Sequence, residues 1–567
     1  MMPELFIAKR FYVIVIALFI GMAGLSPAMP PHPKLKSKIS SGEIIYPDCN
    51  KSITSADMRE KRNIAQKNKS SLNSGPFRVL CLLVDFSDNL SQTQSSFLDT
   101  LIFENQSGTV RNYYNEISYG QIDIVSINLP STLGWNRAPQ EYAFYVDDNY
   151  GINSAYPNNS QKLCEDLVDL ADANIDYSQY DNDGDGYVDV IMIVHSGPGA
   201  EFSGNTADMW SHKWAIKPRS KDGVYISDYT VMPEYWNSPN DLTMGVYCHE
   251  LAHAFGLPDL YDEDNGSYGT GSYSLMSIGC WNGYLGDSPA HPDAWSRIQL
   301  GWLTPINIIS SQSNAAIPEV ENNSVAYRLW INGVIGDEYF LVENRQRVGY
   351  DAALPGSGLC IWHIDEGLTH NNYEWHPAHD AFGNYLVALE QADNLYQLEK
   401  LISTGDAGDQ FPGTNNVNEF APWTNPGSNS YAGDTTLVSV TNISNSGEIM
   451  YADFSVSLAS DNEQNPGGEG ASLSLPGIIL EQNYPNPFNP ITTIRFTLAN
   501  TGHVGIKIYN ILGEIISEYD KGIMPSGTYS FQWNGTDNAG NTLPSGIYLY
   551  EFITDNSYEV RKMILAK

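Results

Sequence analysis

The chain has 567 residues, a formal net charge of −36 and a sequence pI near 4.4. With 42% hydrophobic and 12% aromatic residues it can bury several cores, which excludes a disordered chain. So acidic a surface repels phosphate backbones, which excludes nucleic acid as a partner and suits an extracellular or calcium-binding protein.

Residues 1–28 read as a secretory signal: Lys9 and Arg10, an apolar run over 11–20, then Ser26-Pro27-Ala28. That run is short for a bilayer span and no other long apolar stretch follows, so the mature chain is expected to have no transmembrane span. Residues 29–75 carry nine Lys/Arg against four acids and read as a pro-segment. It is expected to cover an acidic cleft until cut away, with Cys49 or Asp48 at the fourth position of a metal; an inert linker cysteine is the alternative. Of the six cysteines, Cys81 and Cys360 lie in apolar runs and read as buried thiols.

Residues 76–310 read as a catalytic domain. The run 78–86 (RVLCLLVDF) is apolar enough for a strand buried on both faces. Residues 109–118 have helical spacing, with Val110, Tyr113, Tyr114 and Ile117 on one side. A strand over 121–126 follows, then a helix over 160–173 with Leu163, Leu167 and Leu170 aligned. Asp181, Asp183, Asp185 and Asp189 stand at positions 1, 3, 5 and 9 of a calcium loop, with Gly186 at 6 and the Tyr187 carbonyl at 7. Position 12 is Met192, so the loop is not a complete helix-loop-helix site but runs into a strand. A bound Ca2+ would relieve the repulsion among these carboxylates and pin a loop near the cleft. His195 and His212 are candidates for substrate contacts or for ordinary buried histidines. Residues 225–234 alternate as a strand, expected at a sheet edge where a peptide can add.

Residues 246–259 contain His249-Glu250-Leu251-Ala252-His253. On a helix, His249 and His253 share a face one turn apart and can point at one zinc ion. Glu250 then sits beside the metal, where a general base belongs. Gly256 and Pro258 predict a sharp end to the helix. The return brings Asp259 in as third ligand and leaves a fourth position open for catalysis. Met276, in residues 272–279, is expected in a turn forming an apolar floor beneath the metal. A helix over 290–302 closes the domain.

Together, the zinc stretch with Asp259, the Met276 turn, the 181–189 loop and the 196–201 loop resemble the immune inhibitor A family of secreted peptidases, of the metzincin clan. The resemblance covers roughly residues 77–456. It implies catalytic Zn2+ and aspartate in place of the clan's usual third histidine. The clan's tyrosine two residues after the methionine is Ile278 here, so no tyrosine role carries over.

Residues 311–457 show short alternating runs and read as a β-rich, sandwich-like accessory domain. His363, Asp365, Glu366, His370, His376 and His379 cluster there, as a second metal site or a plain polar loop. Residues 458–476 are a Gly/Asn/Ser-rich linker. Residues 477–567 read as a small immunoglobulin-like β-sandwich. Its opening NYPNPFNP and closing KMILAK resemble the C-terminal sorting domain of type IX secretion, which implies that machinery as a partner and export across the outer membrane. The whole reads as a multidomain, secreted or cell-surface zinc endopeptidase acting on protein or peptide substrates: an α/β metzincin-like domain, a β-rich middle and an immunoglobulin-like end. The rivals are an adhesion protein with a vestigial zinc site and a zinc amidase acting on cell-wall material.

Overall fold

The computed structural model describes residues 28–44, 47, 75–263, 266–372, 384–456, 478–480, 483, 485–498, 501–510, 515–525, 527–538, 541–553 and 558–566. Cys49, Asp48, His376, His379 and the linker fall outside them.

A five-stranded sheet organises the first part of the chain. Its order is Trp135–Arg137, Leu80–Asp85, Ile191–Pro198, Val224–Tyr235, His212–Lys221. The first four run parallel, and His212–Lys221 is an antiparallel edge. The apolar run of Leu80–Asp85 is explained by its two covered faces. Leu80, Leu82 and Val84 face one core with the helix Ser160–Ala171, while Cys81 and Leu83 face another with Val110–Ile117 and Gly245–Ala254. This is a three-layer α/β arrangement.

Several expectations are corrected here. The strand Val224–Tyr235 is internal; the edge is His212–Lys221. Leu170 is 44% exposed, because the buried stripe of its helix runs through Leu163, Cys164, Leu167, Val168 and Ala171. At 3.6 residues per turn, Ala171 rather than Leu170 continues the Cys164–Val168 row. The helix expected over 290–302 is only Ala294–Gln299, since Pro292 stops it upstream and Asp293 caps it by accepting from Ser296 N.

Two sheets build the region after residue 305. One, of five strands, includes Glu338–Arg345 paired antiparallel with Gly358–Asp365; the other joins Gln312–Pro318, Ser439–Thr441 and Ile449–Ser455. Phe340, Val342, Leu359 and Ile361 pack between the two sheets. The alternate residues Tyr339, Leu341, Cys360, Trp362 and Ile364 belong to the same core as the zinc-motif helix. The sandwich is therefore fused to the α/β layers, and residues 1–459 cluster as one unit, with 460–567 as a second.

Described by itself, the second unit holds a three-stranded and a four-stranded antiparallel sheet around Phe496, Ile506, Trp533, Tyr550 and Phe552. Among the described residues, no helix is long and apolar enough to cross a membrane.

Candidate active site

The helix Gly245–Ala254 carries His249, Glu250 and His253, all buried. It is positioned at both ends. Tyr247 OH donates to Pro233 O at 2.9 Å, and Tyr114 OH to Cys248 O at 2.6 Å. Beyond Phe255 the chain closes a Schellman turn: Leu257 N donates to Ala252 O (3.2 Å), Gly256 N to His253 O (3.0 Å), and Gly256 has φ +93°. A side chain at Gly256 would strain that left-handed backbone. The turn returns Asp259 to the two histidines.

The three donor atoms converge. His249 Nε2 and His253 Nε2 are 3.1 Å apart, and Asp259 Oδ1 lies 3.1 Å from the first and 3.3 Å from the second. Nitrogen ligands about 2.0–2.1 Å from a tetrahedral zinc stand about 3.3 Å apart, so this triangle has the required edge. The tautomers point the same way. His249 Nδ1 faces Leu275 O at 2.9 Å and His253 Nδ1 faces Leu257 O at 2.8 Å. A carbonyl only accepts, so each Nδ1 carries the proton and each Nε2 presents a lone pair. Asp259 Oδ1 and Oδ2 are buried without a hydrogen-bond partner. Two lone pairs and a carboxylate meeting in a dry site call for a cation, and the N/N/O set fits zinc.

Both oxygens of Glu250 are also buried without a partner. Burial pushes its carboxyl well above the usual carboxylate range, with the charges of Asp259 and Glu201 adding. Met276 is fully buried, and its carbonyl accepts from Leu260 N at 2.8 Å. Its neighbour Leu275 supplies the carbonyl that orients His249. The turn thus serves the site through its backbone as well as its apolar bulk.

Asp181, Asp183 and Asp185 lie close enough to share one ion, with one oxygen from each within 4.8 Å of the others. Asp189 is outside this group; its Oδ2 accepts from Asn182 N and Nδ2 at 2.7 and 2.9 Å. Tyr187 is exposed and bridges Tyr225, fastening the loop to the sheet. His195 is buried, stacks on Tyr142 and is held to about 4 by burial. His212 bonds Ser160 Oγ and Trp210 O, both at 2.7 Å. His363 lies between Glu338 (2.9 Å) and Glu390 (3.1 Å), stacked on Tyr431, and joins no metal-holding group among the described residues. Of the cluster named from the sequence, His376 and His379 fall outside the described residues. All five described cysteines are unpaired and buried.

Residues 28–36 take a place sequence reasoning missed. Ala28 forms an antiparallel bridge with His212, and Met29 N donates to Ser211 O at 3.0 Å. Tyr261 OH donates to Ala28 O, Trp281 Nε1 to Pro30 O (2.9 Å) and Trp210 Nε1 to Met29 O (2.7 Å). The His32 ring packs edge-on to both Phe202 and Trp281. Tyr261 is two residues beyond Asp259, so this segment lies beside the triad. Its Pro30-Pro31-His32-Pro33 is the signal that could have found it, since prolines favour an extended backbone.

Residues 95–303 match the family model of the immune inhibitor A peptidase M6 catalytic domain, and residues 491–556 match the FlgD Ig-like domain. The chain is 31% identical over 210 residues to immune inhibitor A of Bacillus thuringiensis subsp. alesti, covering 31% of this chain and 29% of that one. It is 29% identical over 276 residues to the pre-pro-metalloprotease PrtV of Vibrio cholerae serotype O1 (strain M66-2), covering 39% of this chain and 29% of that one. Among solved structures, FlgD from P. aeruginosa is similar at 26% identity and a TM-score of 0.12, covering 13% of this chain and 60% of that one. The chain thus spans 29% of the length of the curated relatives it matches. Residues 95–303 are thus similar to the peptidase M6 catalytic domain of the immune inhibitor A type, and the named relatives include metalloproteases.

Proposed function

We propose that the chain is a secreted zinc endopeptidase of the metzincin kind, with His249, His253 and Asp259 as metal ligands and Glu250 as general base. The observation that carries this reading is the convergence of three proton-free donors at 3.1–3.3 Å. Zinc, when bound, supplies a Lewis acid for the scissile carbonyl and makes water acidic enough to attack near neutral pH. Glu250 accepts the proton of the attacking water and delivers it to the leaving amine. Its burial suits this role, because a carboxylate out of water is a stronger base. The Leu275 and Leu257 carbonyls keep the imidazoles in the tautomer that binds metal. The edge at Ser211 and His212 takes an extended substrate by strand addition, as it takes Ala28 and Met29.

The strap of residues 29–36, whose Met29 N donates to Ser211 O at 3.0 Å, then holds the unprocessed chain latent by covering that edge. The Cys49 or Asp48 latch of the sequence reading falls outside the described residues. Calcium at Asp181, Asp183 and Asp185 stiffens the approach to the Ile191–Pro198 strand. Residues 477–567 serve type IX export across the outer membrane. The test is casein hydrolysis after removal of the leader, comparing the parent with Glu250→Ala at equal zinc content. Activity is expected only in the parent; equal activity in both refutes the assignment.

A further inference from the structure

A second acidic group lies in the fused β-rich region. One carboxylate oxygen from each of Asp393, Asp406 and Asp409 falls within 4.8 Å of the others. Three like charges so close repel one another. What separates this cluster from a solvated acidic turn is Asp409. Its residue is fully buried, and its Oδ1 has no hydrogen-bond partner. The other oxygen is fixed: Oδ2 accepts from Tyr273 OH at 3.0 Å and from Asp406 N at 2.8 Å. Asp406 is oriented by Gly408 N and Gln397 Nε2, both at 2.7 Å, and Asp393 by Leu395 N at 2.9 Å. The adjacent Asn394 also has a buried Oδ1 with no partner. Gly408 leaves the space open, since a Cβ there would stand 2.8 Å from Asp393 Oδ2 and 2.9 Å from Asp406 Oδ1.

We propose that Asp393, Asp406 and Asp409 form a calcium site that clamps the 393–409 loop to Tyr273, three residues before Met276. Oxygens about 2.3–2.6 Å from one calcium ion lie up to about 5 Å apart, which the 4.8 Å cluster satisfies. An all-oxygen, carboxylate-rich set favours calcium over zinc. The clamp has a readable mechanical role. Tyr273 OH also donates to Asp406 O at 2.6 Å, Ser272 N to Thr404 O at 2.7 Å and Tyr268 N to Leu398 O at 3.0 Å. An ion here therefore fastens one loop along the stretch that leads from Asp259 to the Met276 turn. The proposal is independent of whether the chain hydrolyses peptides.

The test starts from the full chain carrying Asp181→Asn, Asp183→Asn and Asp185→Asn, which silences the other acidic loop. Calcium chloride is titrated in by calorimetry, and Tm is followed over the same series by circular dichroism. One Ca2+ per chain is expected, with Tm rising as the logarithm of calcium concentration. Adding Asp409→Asn, or separately Asp393→Asn, should abolish that binding and leave zinc content unchanged. Asp393 is only partly buried and keeps the test valid if Asp409→Asn does not fold. Absence of calcium binding in the loop-silenced chain overturns the proposal, as does binding that survives Asp393→Asn and every folded Asp409 variant.

Discussion

Replacing Asp259 by alanine isolates the ligand that turns a two-histidine motif into a three-donor site. Its Oδ1 stands 3.1 and 3.3 Å from the two Nε2 atoms, at the zinc-ligand edge. Four-ligand structural zinc sites hold their ion by roughly 10–16 kcal/mol, or about 2.5–4 kcal/mol per ligand if shared evenly. Losing one share lowers zinc affinity by about 10²–10³, at ~1.4 kcal/mol per factor of ten. Asp259→Asn keeps an oxygen and the volume but loses the charge, so its loss should be smaller. The assay is competition for zinc with a chromogenic chelator at neutral pH, with circular dichroism confirming the fold. Glu250→Gln is the control: it should hold zinc as the parent does while hydrolysis disappears. Parent-like zinc affinity in a folded Asp259→Ala chain would refute the three-ligand geometry.

Three further outcomes are expected. Met29 is fully buried, so Met29→Asp places an unpaired charge in the core and should release the strap, raising casein hydrolysis by the unprocessed chain; no rise contradicts the latch. Glu343 pairs with both Arg297 and Arg345 and accepts from Trp362 Nε1 at 2.8 Å, all fully buried, so Glu343→Gln should cost about 3–5 kcal/mol in denaturant unfolding, and a cost below ~1 kcal/mol would show the network to be slack. For His363, burial acts downward, but Glu338 and Glu390 outweigh it and the net shift is upward. A raised folded-state pKa gives stability that is complete below the unfolded value and lost as pH rises through the folded one. The Tm advantage of the parent over His363→Gln should therefore shrink as pH climbs above ~6.5, and an advantage constant across that window argues against a charged His363.

The convergence of His249, His253 and Asp259 was legible because its determinants are local. Four residues of helix set the two histidines, and one glycine turn returns Asp259 within ten residues of His249. The strap was not legible, because Ala28 meets His212 and Tyr261 across some two hundred residues, and nothing local in either partner announces the other. The edge strand was misplaced for a related reason. Alternation in 225–234 reveals a strand but not its neighbours, and only the pairing of Val224–Tyr235 on both sides shows it to be internal. The packing of the β-rich region against the first sheet was hidden for another reason. Residues 339–342 and 359–364 are apolar at nearly every position because both faces are covered, a pattern that a free-standing sandwich with one wet face does not produce.

That double coverage explains why the β-rich region accompanies the catalytic layers. The turn carrying Leu275 and Met276 has little regular structure of its own, yet it must hold a carbonyl against His249 to within hydrogen-bonding distance. Its fixed points come from elsewhere. Arg345, anchored on Asp351 at 2.7 and 2.8 Å, donates to Tyr273 O at 3.1 Å and to His291 O at 3.3 Å. Asp293 accepts from Ser274 Oγ at 2.7 Å, and Tyr273 OH reaches the Asp406–Asp409 loop. Two of these three supports lie beyond residue 340. A chain cut at residue 310 would retain His249, His253 and Asp259 but lose two of the three supports of the turn that orients His249. The unit that holds the metal geometry is therefore the fused body through residue 456, not the motif-bearing half alone.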